Sequence, residues 1–393
     1  MTDTAGPTPP PDADYDPLAP PADPWPALAE IAEECPVAHM PSGLVLVTTR
    51  DRVRRVFRDD TTFSSRPIRP VPEDEVQHIV HLDGAEHVRI RRLISQAFTE
   101  KSVVDSEPRI REITGELLDG FAGRGSADLV AELTAPMPAI VFSEILGIPP
   151  EDREQYLEWA DDAIANNDKE GGATTDAEFR EYILSRISEY RARQGPGLIS
   201  SLVHTEVDQD SLSDPELVAM VRILIIAGTE TTANLMATMF HQVLREPGLA
   251  ERIRGDRDLL PRVVEESLRI DPPLNWVPRV AAIDTEFDGV AIPEGGVVAA
   301  CVGHANHDRS EISHPETFDV DRPDEELLHF TFGHGVHFCV GAPLARLEAR
   351  IALEMTLDRF SDLRIADSYE FAPRGPMMMR GCADLPVVFT PEN

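Results

Sequence analysis

A helical pattern that runs without interruption from residue 214 to residue 246 constrains the fold of this chain more than any other feature. Ser213 and Glu216 have the spacing of a capping box, and Pro215 lies in the first turn, where a missing N–H does no harm. About 32 residues at 1.5 Å per residue give a helix of roughly 48 Å, far above the usual helix length. Because its middle is apolar on nearly every side, we predict a buried helix that crosses the whole molecule.

The segment from Ala227 to Thr232 interrupts this apolar pattern. It reads Ala-Gly-Thr-Glu-Thr-Thr and so brings a glycine, an acid and three threonines into the middle of a buried helix. Side chains that conflict with their predicted environment cluster at functional sites. We therefore expect this segment to contribute to an active site.

Helical patterns dominate the remainder of the chain up to about residue 271, and short strands follow beyond residue 275. We predict further helices at residues 51–58, 85–99, 108–122, 135–146, 151–165, 176–193, 248–254, 259–271 and 343–360. We predict strands at residues 44–48, 279–283, 297–301 and 386–389. The pattern as a whole predicts a mainly α fold with a smaller β portion.

Loops and linkers divide the chain very little. Two polar loops, residues 66–83 and 166–175, are candidates for lids over a binding site. Residues 1–26 contain nine prolines, a density that opposes helix formation, so we predict a flexible lead-in there. Residues 27–393 contain no internal repeat and no clear linker, and we predict that they form a single domain.

The chain is strongly acidic. Its 393 residues include 36 basic and 70 acidic side chains, so the formal net charge is −34 at pH 7. This charge repels nucleic acids and anionic membrane surfaces at long range, so neither is an expected partner. No lysine or arginine precedes Arg50, so no secretory signal is predicted, and the longest apolar stretch, residues 217–227, is too short to span a bilayer. We predict a soluble, cytoplasmic protein.

One of the four cysteines lies in an unusual setting. Cys35, Cys301 and Cys382 are scattered without CxxC spacing, which is typical of reduced thiols. Cys339 lies in the glycine-rich segment 332–341, and a proline begins the helix that follows. Glycines allow the backbone to turn close to the sulfur, and the N-terminal amides of a helix lower the pKa of a nearby thiol. The segment therefore favours a stabilised thiolate.

From the residues alone, two alternatives stay open for Cys339. The thiol is a small buried apolar group in a loop, or it binds zinc together with His334 and His337. The zinc site would have an unusual ligand spacing and no fourth ligand nearby.

The segment from Phe332 to Gly341 reads F-x-x-G-x-H-x-C-x-G and resembles the cysteine loop of the cytochrome P450 family. Further motifs follow the order and spacing of that family: His87-x-x-x-Arg91, the Ala227 to Thr232 segment, Glu266-x-x-Arg269 and Arg322. The similarity extends from roughly residue 25 to the C-terminus. It implies the cytochrome P450 fold, in which a long central helix crosses a buried haem b.

The resemblance assigns most of the predicted site to the haem. Cys339 would be the thiolate ligand of the iron, and such a ligand donates electron density that favours O–O cleavage. Residues implied to contact the haem are Ala227, Gly228, Phe332, Gly333 and Gly341. The haem propionates would be held by His87, Arg91, Arg279 and His337, although each of these is also compatible with a role at the solvated surface.

Glu230 and Thr231 match the acid–alcohol pair of the family. The resemblance implies that the Thr231 hydroxyl stabilises bound oxygen and that Glu230 helps to relay protons from solvent. Gly228 and Thr231 would also loosen the helix and open a groove for dioxygen and water. Without the resemblance, a hydroxyl bonded to its own helix remains the alternative for Thr231.

Glu266 and Arg269 lie three residues apart on one face of a predicted helix. As an exposed pair they would contribute only a few tenths of a kcal/mol. The resemblance implies instead a buried structural clamp with Arg322 near the cysteine loop. Such a clamp is costly to break because an unpaired charge would remain.

The resemblance also indicates which residues line a substrate pocket. They are Ile223, Ile226, Ala227, Leu274, Asn275, Trp276, Val277, Met377, Met378 and Met379, together with the loop at residues 66–83. Methionines and a tryptophan suit a sizeable apolar ligand. The same residue types are ordinary core residues, and that alternative stays open.

The resemblance implies a haem-thiolate monooxygenase. It would insert one oxygen atom from O₂ into a C–H or C=C bond of an apolar small molecule, such as a natural product, a terpenoid or a steroid. Electrons would come from a separate ferredoxin with its reductase, docked on a basic patch of a monomeric enzyme. The patch would consist of Arg92, Arg109, Arg111, Arg346 and Arg350. Two alternatives are a peroxide-driven peroxygenase and a non-catalytic haem-fold partner protein, and the intact Glu230, Thr231 and Cys339 weigh against both.

Overall fold

Helices make up most of the computed structural model, which describes residues 15–68, 76–165, 175–375 and 378–391. The helices are α1 (Trp25–Glu34), α2 (Arg50–Arg58), α3 (Gly84–Ala97), α4 (Glu100–Asp119), α5 (Pro136–Leu146), α6 (Arg153–Ala165), α7 (Thr175–Ala192), α8 (Gly197–His204), α9 (Asp214–Arg245), α10 (Leu249–Gly255), α11 (Leu259–Ile270), α12 (Val302–Ala305), α13 (Asp324–Leu327) and α14 (Ala342–Arg359). The strands are β1 (Val37–His39), β2 (Val45–Val47), β3 (Phe63–Ser64), β4 (Ser126–Asp128), β5 (Val277–Ala281), β6 (Thr285–Phe287), β7 (Val290–Ile292), β8 (Val297–Ala300), β9 (Arg364–Ile365), β10 (Pro373–Arg374), β11 (Gly381–Cys382) and β12 (Pro386–Val388). The predicted mainly α fold with a smaller β portion is confirmed.

Tertiary contacts divide the chain into two units. Unit 1 consists of residues 1–70, 234–339 and 363–386, and unit 2 consists of residues 71–233, 340–362 and 387–393. The chain passes from one unit to the other five times. Neither unit is therefore a continuous stretch of sequence.

Unit 1 contains a five-stranded sheet with the strand order β1-β2-β8-β5-β3. β2 and β8 run parallel, and the other neighbouring pairs are antiparallel. Alternate residues of β2 belong to two different apolar clusters, with Val45 and Val47 in one and Leu46 in the other. The sheet is buried on both faces, which explains why β2 and β8 are uninterrupted apolar runs.

The N-terminal lead-in of unit 1 is packed against the core. The indole N–H of Trp276 donates to the carbonyl of Pro17 at 3.0 Å, and Nη1 of Arg380 donates to the carbonyl of Ala22 at 2.9 Å. A proline-rich segment makes few backbone hydrogen bonds of its own, so its carbonyls are available to these buried donors. The predicted flexibility of residues 1–26 is therefore wrong for the described part, and the first fourteen residues lie outside the described chain.

Unit 2 is mainly helical, and helix α4 illustrates how its boundaries differ from the prediction. α4 begins at Glu100 rather than at residue 108, because Thr99 caps it by accepting a hydrogen bond from the N–H of Ser102 at 3.1 Å. Pro108 lies inside the helix. α4 packs against α5 and α14, and this packing offsets the one backbone hydrogen bond that the proline removes.

Helix α9 is the predicted long helix, and it is 32 residues long. Its predicted capping box is present: the N–H and the hydroxyl of Ser213 each donate to Oε2 of Glu216 at 2.7 Å. By length and composition α9 could also cross a membrane, because its most apolar 18-residue window has a mean hydropathy of 1.3. Of that window 67% is buried, which is typical of a core helix. The burial of α9 is thus what distinguishes a core helix from a membrane-spanning helix. The sequence prediction relies instead on the short length of the apolar stretch at residues 217–227.

The two predicted lid loops lie partly outside the described residues. In the loop at residues 66–83, residues 69–75 are outside, and a 3₁₀ turn at Ile79–His81 is described. Of the loop at residues 166–175, only the last residue, which begins α7, is described. Neither loop is assigned a role.

Candidate functional site

Residues 332–339 of the cysteine loop belong to unit 1, and their backbone path requires glycine. The N–H of Cys339 donates to the carbonyl of Phe332 at 2.9 Å. Gly333 and Gly335 have φ values of +73° and +75°, which side chains disfavour. A Cβ at Gly335 would also lie 2.9 Å from the carbonyl oxygen of Phe57. The loop is therefore closed by its own backbone while the Cys339 side chain is exposed.

The four cysteines differ in their accessibility. Burial raises the pKa of the Cys301 and Cys382 thiols to about 12, so both stay protonated at neutral pH. Cys35 is half-buried and packs against an apolar cluster of unit 1. Of the four, Cys339 is the exposed one. The alternative of a buried thiol in the loop is therefore wrong.

The structure does not provide a ligand set for zinc at this loop. Nε2 of His334 accepts a hydrogen bond from Nε of Arg58 at 3.0 Å. Burial, with the charges of Arg58 and Arg54, lowers the pKa of His334. His337 lies in a 3₁₀ turn two residues before Cys339. Within the described ranges, no group of three or more His, Cys, Asp or Glu side chains could hold a metal ion.

Glu266 and Arg269 of α11 form a fully buried ion pair in unit 1. Nε and Nη2 of Arg269 donate to the two carboxylate oxygens of Glu266 at 2.7 and 2.8 Å. Nε of Arg322 and the N–H of Asp319 donate to Oε1 of Glu266, each at 2.9 Å. The three charged side chains of this clamp are at most 3% exposed. The structure thus brings the three predicted members together in a buried arrangement, and not as an exposed pair.

The clamp also holds the backbone that leads to the cysteine loop. Nη1 of Arg269 donates to the carbonyls of Asn306 at 2.9 Å and of Pro315 at 2.8 Å. Nη2 of Arg322 donates to the carbonyl of Thr317 at 2.7 Å. Each guanidinium therefore satisfies main-chain acceptors as well as the carboxylate, which a buried charge requires.

The basic side chains predicted to hold propionates are divided between the units. In unit 1, Arg279 of β5 is buried, its Nη1 donates to the carbonyl of Pro278 at 2.8 Å, and its guanidinium carbon lies 5.1 Å from the centre of the Phe57 ring. In unit 2, His87 and Arg91 are one turn apart on α3 and so share a face. His87 is buried and Arg91 is half-buried. The fourth predicted ligand, His337, is in the cysteine loop.

Helix α9 is helical throughout the Ala227 to Thr232 segment. Oγ1 of Thr231 donates to the carbonyl of Ala227 at 2.6 Å, so this hydroxyl is bonded to its own helix. A Cβ on Gly228 would lie 2.5 Å from Cε2 of Phe142 on α5. The helix is continuous here, and the expected groove for dioxygen and water stays a prediction. The glycine also allows α9 and α5 to approach closely.

One face of α9 is less buried than the rest of the helix. Ala227 is exposed, and three predicted residues spaced three or four positions from it are half-buried: Ile223, Glu230 and Thr231. Ile226, which is adjacent to Ala227 in the sequence, is also half-buried. Residues on the opposite side of the helix, such as Ile225 and Thr229, are buried. The spacing places the predicted pocket and oxygen-activation residues along one side of the helix.

Two of the predicted pocket residues belong to the core of unit 1. Trp276 is 1% exposed and lies in an apolar cluster with Leu28 and Ile31. Its indole N–H donates a hydrogen bond to the carbonyl of Pro17. Asn275 is also buried. The prediction that Trp276 and Asn275 line a pocket is therefore wrong, because both side chains are almost completely buried.

Other predicted pocket residues of unit 1 keep partial exposure. Leu274, Val277, Met378 and Met379 are half-buried. Leu274 and Met379 face each other in an isolated β-bridge, and Met378 packs against the cluster that contains Trp276. Met377 lies outside the described residues.

The arginines predicted to form a basic patch are paired with carboxylates in unit 2. Arg111 and Arg350 share Glu107 and Glu354, with N–O distances from 2.7 to 3.6 Å. Two further members also form ion pairs, Arg92 with Asp208 and Arg109 with Glu144. The predicted patch of positive charge is therefore wrong for these four residues, because neighbouring acids offset the arginines. Arg346, the fifth member, is half-buried.

Comparisons with known proteins agree with this site. The family model described as Cytochrome P450 matches residues 175–366. Cytochrome P450 107B1 of Saccharopolyspora erythraea is 39% identical over 79% of this chain and 76% of its own length. The erythromycin C-12 hydroxylase of that organism is 36% identical over 92% and 93% of the two chains. A steroid C26-monooxygenase of Mycobacterium tuberculosis is 34% identical over 91% and 98%. The chain belongs to the cytochrome P450 family.

Solved structures show the same relationship at the level of the fold. The structure of cytochrome P450 CYP109Q5 from Chondromyces apiculatus is 34% identical, covers 97% of this chain and 99% of that one, and superposes with a TM-score of 0.89. The protein described here is thus a cytochrome P450 monooxygenase, an oxidoreductase that binds haem b through a cysteine thiolate.

The residues of this cytochrome P450 fit a haem. The exposed thiol of Cys339 is a suitable sulfur donor. Gly335 leaves room for the loop to approach Phe57 where a side chain would collide. Arg279 presents a guanidinium of the type that pairs with carboxylates, held in place by Pro278 and Phe57. The loop geometry and the donor chemistry therefore agree with the family assignment.

Some residues of this site have no signal in the sequence. Phe57 supports both Arg279 and the cysteine loop, yet it lies in α2 with no motif around it. Asn306 accepts a clamp hydrogen bond from Arg269 and also accepts one from Phe330, just before the cysteine loop. Both depend on contacts between segments far apart in sequence, and a single Phe or Asn has no spacing that would reveal them.

Proposed function

We propose that Cys339 is the thiolate ligand of the haem in this cytochrome P450. The observation that carries the proposal is that Cys339 is the exposed thiol of the four and lies in the glycine-dependent loop. When bound, the haem supplies an iron centre for the activation of O₂ and the transfer of one oxygen atom. The loop holds the sulfur in position through the hydrogen bond from the N–H of Cys339 to Phe332.

Cys339→Ala tests this assignment, and Cys35→Ala is the matched control because it removes a half-buried thiol of the same unit. Reduced protein treated with carbon monoxide has a red-shifted Soret band when a thiolate ligates the iron. We expect the band to disappear in Cys339→Ala and to persist in Cys35→Ala. A red-shifted band in Cys339→Ala would refute the assignment.

Thr231 and Glu230 are proposed to manage protons during the reaction. The Thr231 hydroxyl donates its proton to the carbonyl of Ala227, so in this conformation it can only accept a further hydrogen bond. Glu230 is the adjacent residue, about 100° around the helix axis at 3.6 residues per turn. We propose that Glu230 relays protons from solvent towards the Thr231 side of the helix.

Substitutions at these two positions separate proton handling from substrate binding. Thr231→Val should lower turnover by about 100-fold and leave the substrate-induced spectral shift unchanged. Thr231→Ser keeps a hydroxyl and should retain most of the turnover. Equal turnover in Thr231→Val and the wild type would remove Thr231 from the mechanism.

His87, Arg91, Arg279 and His337 are proposed to pair with the haem propionates, and Arg279 allows the sharpest test. Its position is supported by Pro278 and Phe57, so it loses little freedom when it binds a carboxylate. Arg279→Leu should release haem about tenfold faster than the wild type. Arg252→Leu changes an exposed arginine of the same unit and should release haem at the wild-type rate. Equal release rates in the two variants would contradict the assignment.

The proposed substrate is an apolar small molecule, hydroxylated at a C–H bond or epoxidised at a C=C bond. The support is the apolar character of Ile223, Ile226, Ala227, Leu274 and Val277, none of which is fully buried. Relatives of similar identity are named for erythromycin and for a steroid, so both natural-product and steroid ligands are reasonable candidates. Spectral titrations with steroids, terpenoids and macrolides will identify the class, and the absence of a shift with every apolar ligand would contradict it.

Electrons are proposed to come from a separate ferredoxin and its reductase. Turnover with ferredoxin, reductase and NAD(P)H but not with peroxide is expected; turnover with peroxide alone would instead establish a peroxygenase.

We also propose that residues 27–393 form a single domain and that the protein is a cytoplasmic monomer. Each unit is assembled from three separated segments, so neither can be excised as one piece of chain. A single calorimetric transition with equal calorimetric and van't Hoff enthalpies is expected. Two resolved transitions would show that the units unfold independently.

A further inference from the structure

Asn306 joins the clamp of unit 1 to the start of the cysteine loop. It directly follows α12 and is fully buried. Its main-chain carbonyl accepts a hydrogen bond from Nη1 of Arg269 at 2.9 Å. Its Oδ1 accepts from the N–H of Phe330 at 2.8 Å, and its Nδ2 donates to Oγ1 of Thr331 at 3.0 Å. One side chain thus holds the two consecutive residues that directly precede the cysteine loop.

The partners determine which way the Asn306 amide points. The N–H of Phe330 can only donate, so it requires the amide oxygen. The hydroxyl of Thr331 gives its single proton to the carbonyl of Leu268 at 2.5 Å and offers only a lone pair to Asn306. The amide nitrogen must therefore face Thr331. Aspartate has the same shape as asparagine but lacks this donor, so it cannot reproduce the arrangement.

Hydrogen bonds continue from this anchor to Cys339. The carbonyl of Phe330 accepts from the N–H of Gly333 at 2.7 Å, and the carbonyl of Phe332 accepts from the N–H of Cys339 at 2.9 Å. A shift of Phe330 or Thr331 therefore moves the carbonyl that holds the Cys339 amide. Because the whole path lies within unit 1, it depends on no contact outside that unit.

We propose that Asn306 is a positioning residue for the Cys339 thiolate: it connects the loop to the Glu266–Arg269 clamp and keeps the sulfur in its ligating position. The proposal rests on the assignment of Cys339 as the haem ligand. In this proposal the clamp stabilises the fold and also, through Asn306, helps to hold the sulfur that ligates the iron.

The test compares Asn306→Ala, Asn306→Asp and Thr331→Val with two controls in the haem-loaded enzyme. Thr331→Ser keeps the hydroxyl. Ser267→Ala removes a fully buried hydroxyl of α11 that donates to the carbonyl of Val263 in the same helix. The readouts are the rate at which the red-shifted Soret band of the reduced carbon monoxide complex is lost, and the midpoint potential of the haem.

We expect the band to be lost about tenfold faster in Asn306→Ala, Asn306→Asp and Thr331→Val, as for the loss of one buried hydrogen bond. The midpoint potential should shift in the same three variants. Thr331→Ser and Ser267→Ala should match the wild type. The double variant Asn306→Ala/Thr331→Val should be no worse than the more affected single variant, because both changes remove the same link.

Two results would overturn the proposal. The first is that Asn306→Ala loses the band no faster than Ser267→Ala. The second is that the fold-increase in the rate of band loss in the double variant equals the product of the fold-increases in the two single variants. If Asn306→Ala does not fold, Thr331→Val and Asn306→Asp supply the same comparison. A wild-type protein without the red-shifted band would instead show that the assignment of Cys339 is wrong, so the two failures are distinguishable.

Discussion

Replacing Arg269 by leucine should destabilise this cytochrome P450 far more than removing an exposed arginine of the same unit. Arg269 is fully buried and donates five hydrogen bonds, two to Glu266 and three to main-chain carbonyls. Arg269→Leu removes all five. Among the described residues it leaves Glu266 with Arg322 as its remaining cationic partner.

The size of the effect follows from burial. Removing one member of a buried ion pair costs about 3–5 kcal/mol, because the other charge stays desolvated. Folded domains are stable by only about 5–15 kcal/mol, so the variant loses a large fraction of its free energy of unfolding. Arg269→Lys keeps the charge but not the planar fork that reaches several acceptors. We expect its loss of stability to lie between those of the wild type and Arg269→Leu.

Urea unfolding followed by circular dichroism measures these differences as shifts of the midpoint at an unchanged m-value. Arg252→Leu is the control, because Arg252 and Asp321 are more than half exposed and their pair is screened by water. We expect a large midpoint shift for Arg269→Leu and a minor one for Arg252→Leu.

Equal midpoint shifts in the two variants would refute the reasoning, because burial would then make no difference to the ion pair. If Arg269→Leu yields no folded protein, Arg269→Lys against Arg252→Lys provides the same comparison. A shift for Arg269→Lys no larger than that for Arg252→Lys would count equally against the clamp.

Three further predictions test other parts of the structure. Gly228→Ala should lower the free energy of unfolding by about 1–3 kcal/mol, because the new Cβ meets the Phe142 ring and this collision outweighs the better helix propensity of alanine. Adding Phe142→Leu should restore part of the lost stability, and a double variant with no such gain would contradict the explanation. Burial lowers the pKa of His241 from 6.5 to about 4, so the stability that its neutral form contributes is present above pH 6.5 and is lost as the pH falls towards 4. The urea midpoint of His241→Phe should therefore fall less steeply than that of the wild type over this window, and parallel curves would exclude the effect. Trp276→Phe should lower stability by about 1 kcal/mol through the lost hydrogen bond to Pro17 and leave the substrate-induced spectral shift unchanged; an altered shift would return Trp276 to the pocket.

Features that depend on one element could be predicted from the sequence. Helix α9 follows from its apolar pattern and from the capping box of Ser213 and Glu216, and both are present. The i, i+3 spacing of Glu266 and Arg269 puts them on one helical face in any environment. The glycines around Cys339 indicate a turn that other residues disfavour, and their positive φ values agree. In each case the interacting groups are a few residues apart, so the geometry of one segment determines whether they meet.

Other features were decided only by the tertiary structure. The same proline-rich lead-in would be flexible in isolation, but Trp276 and Arg380 bind its carbonyls. The arginines of the predicted basic patch could have been unpaired, but acids on other helices pair with them. Whether Glu266 and Arg269 form an exposed pair or a buried clamp depends on Arg322, which is more than fifty residues away in the sequence.

The sequence by itself therefore determined the class of fold, the long helix and the chemical types gathered at the site. The tertiary structure decided which side chains are buried, which charges are neutralised and which residue, Asn306, connects the clamp to the cysteine loop. The physical reason is that periodicity and spacing describe one segment, whereas desolvation and ion pairing depend on every segment that packs against it.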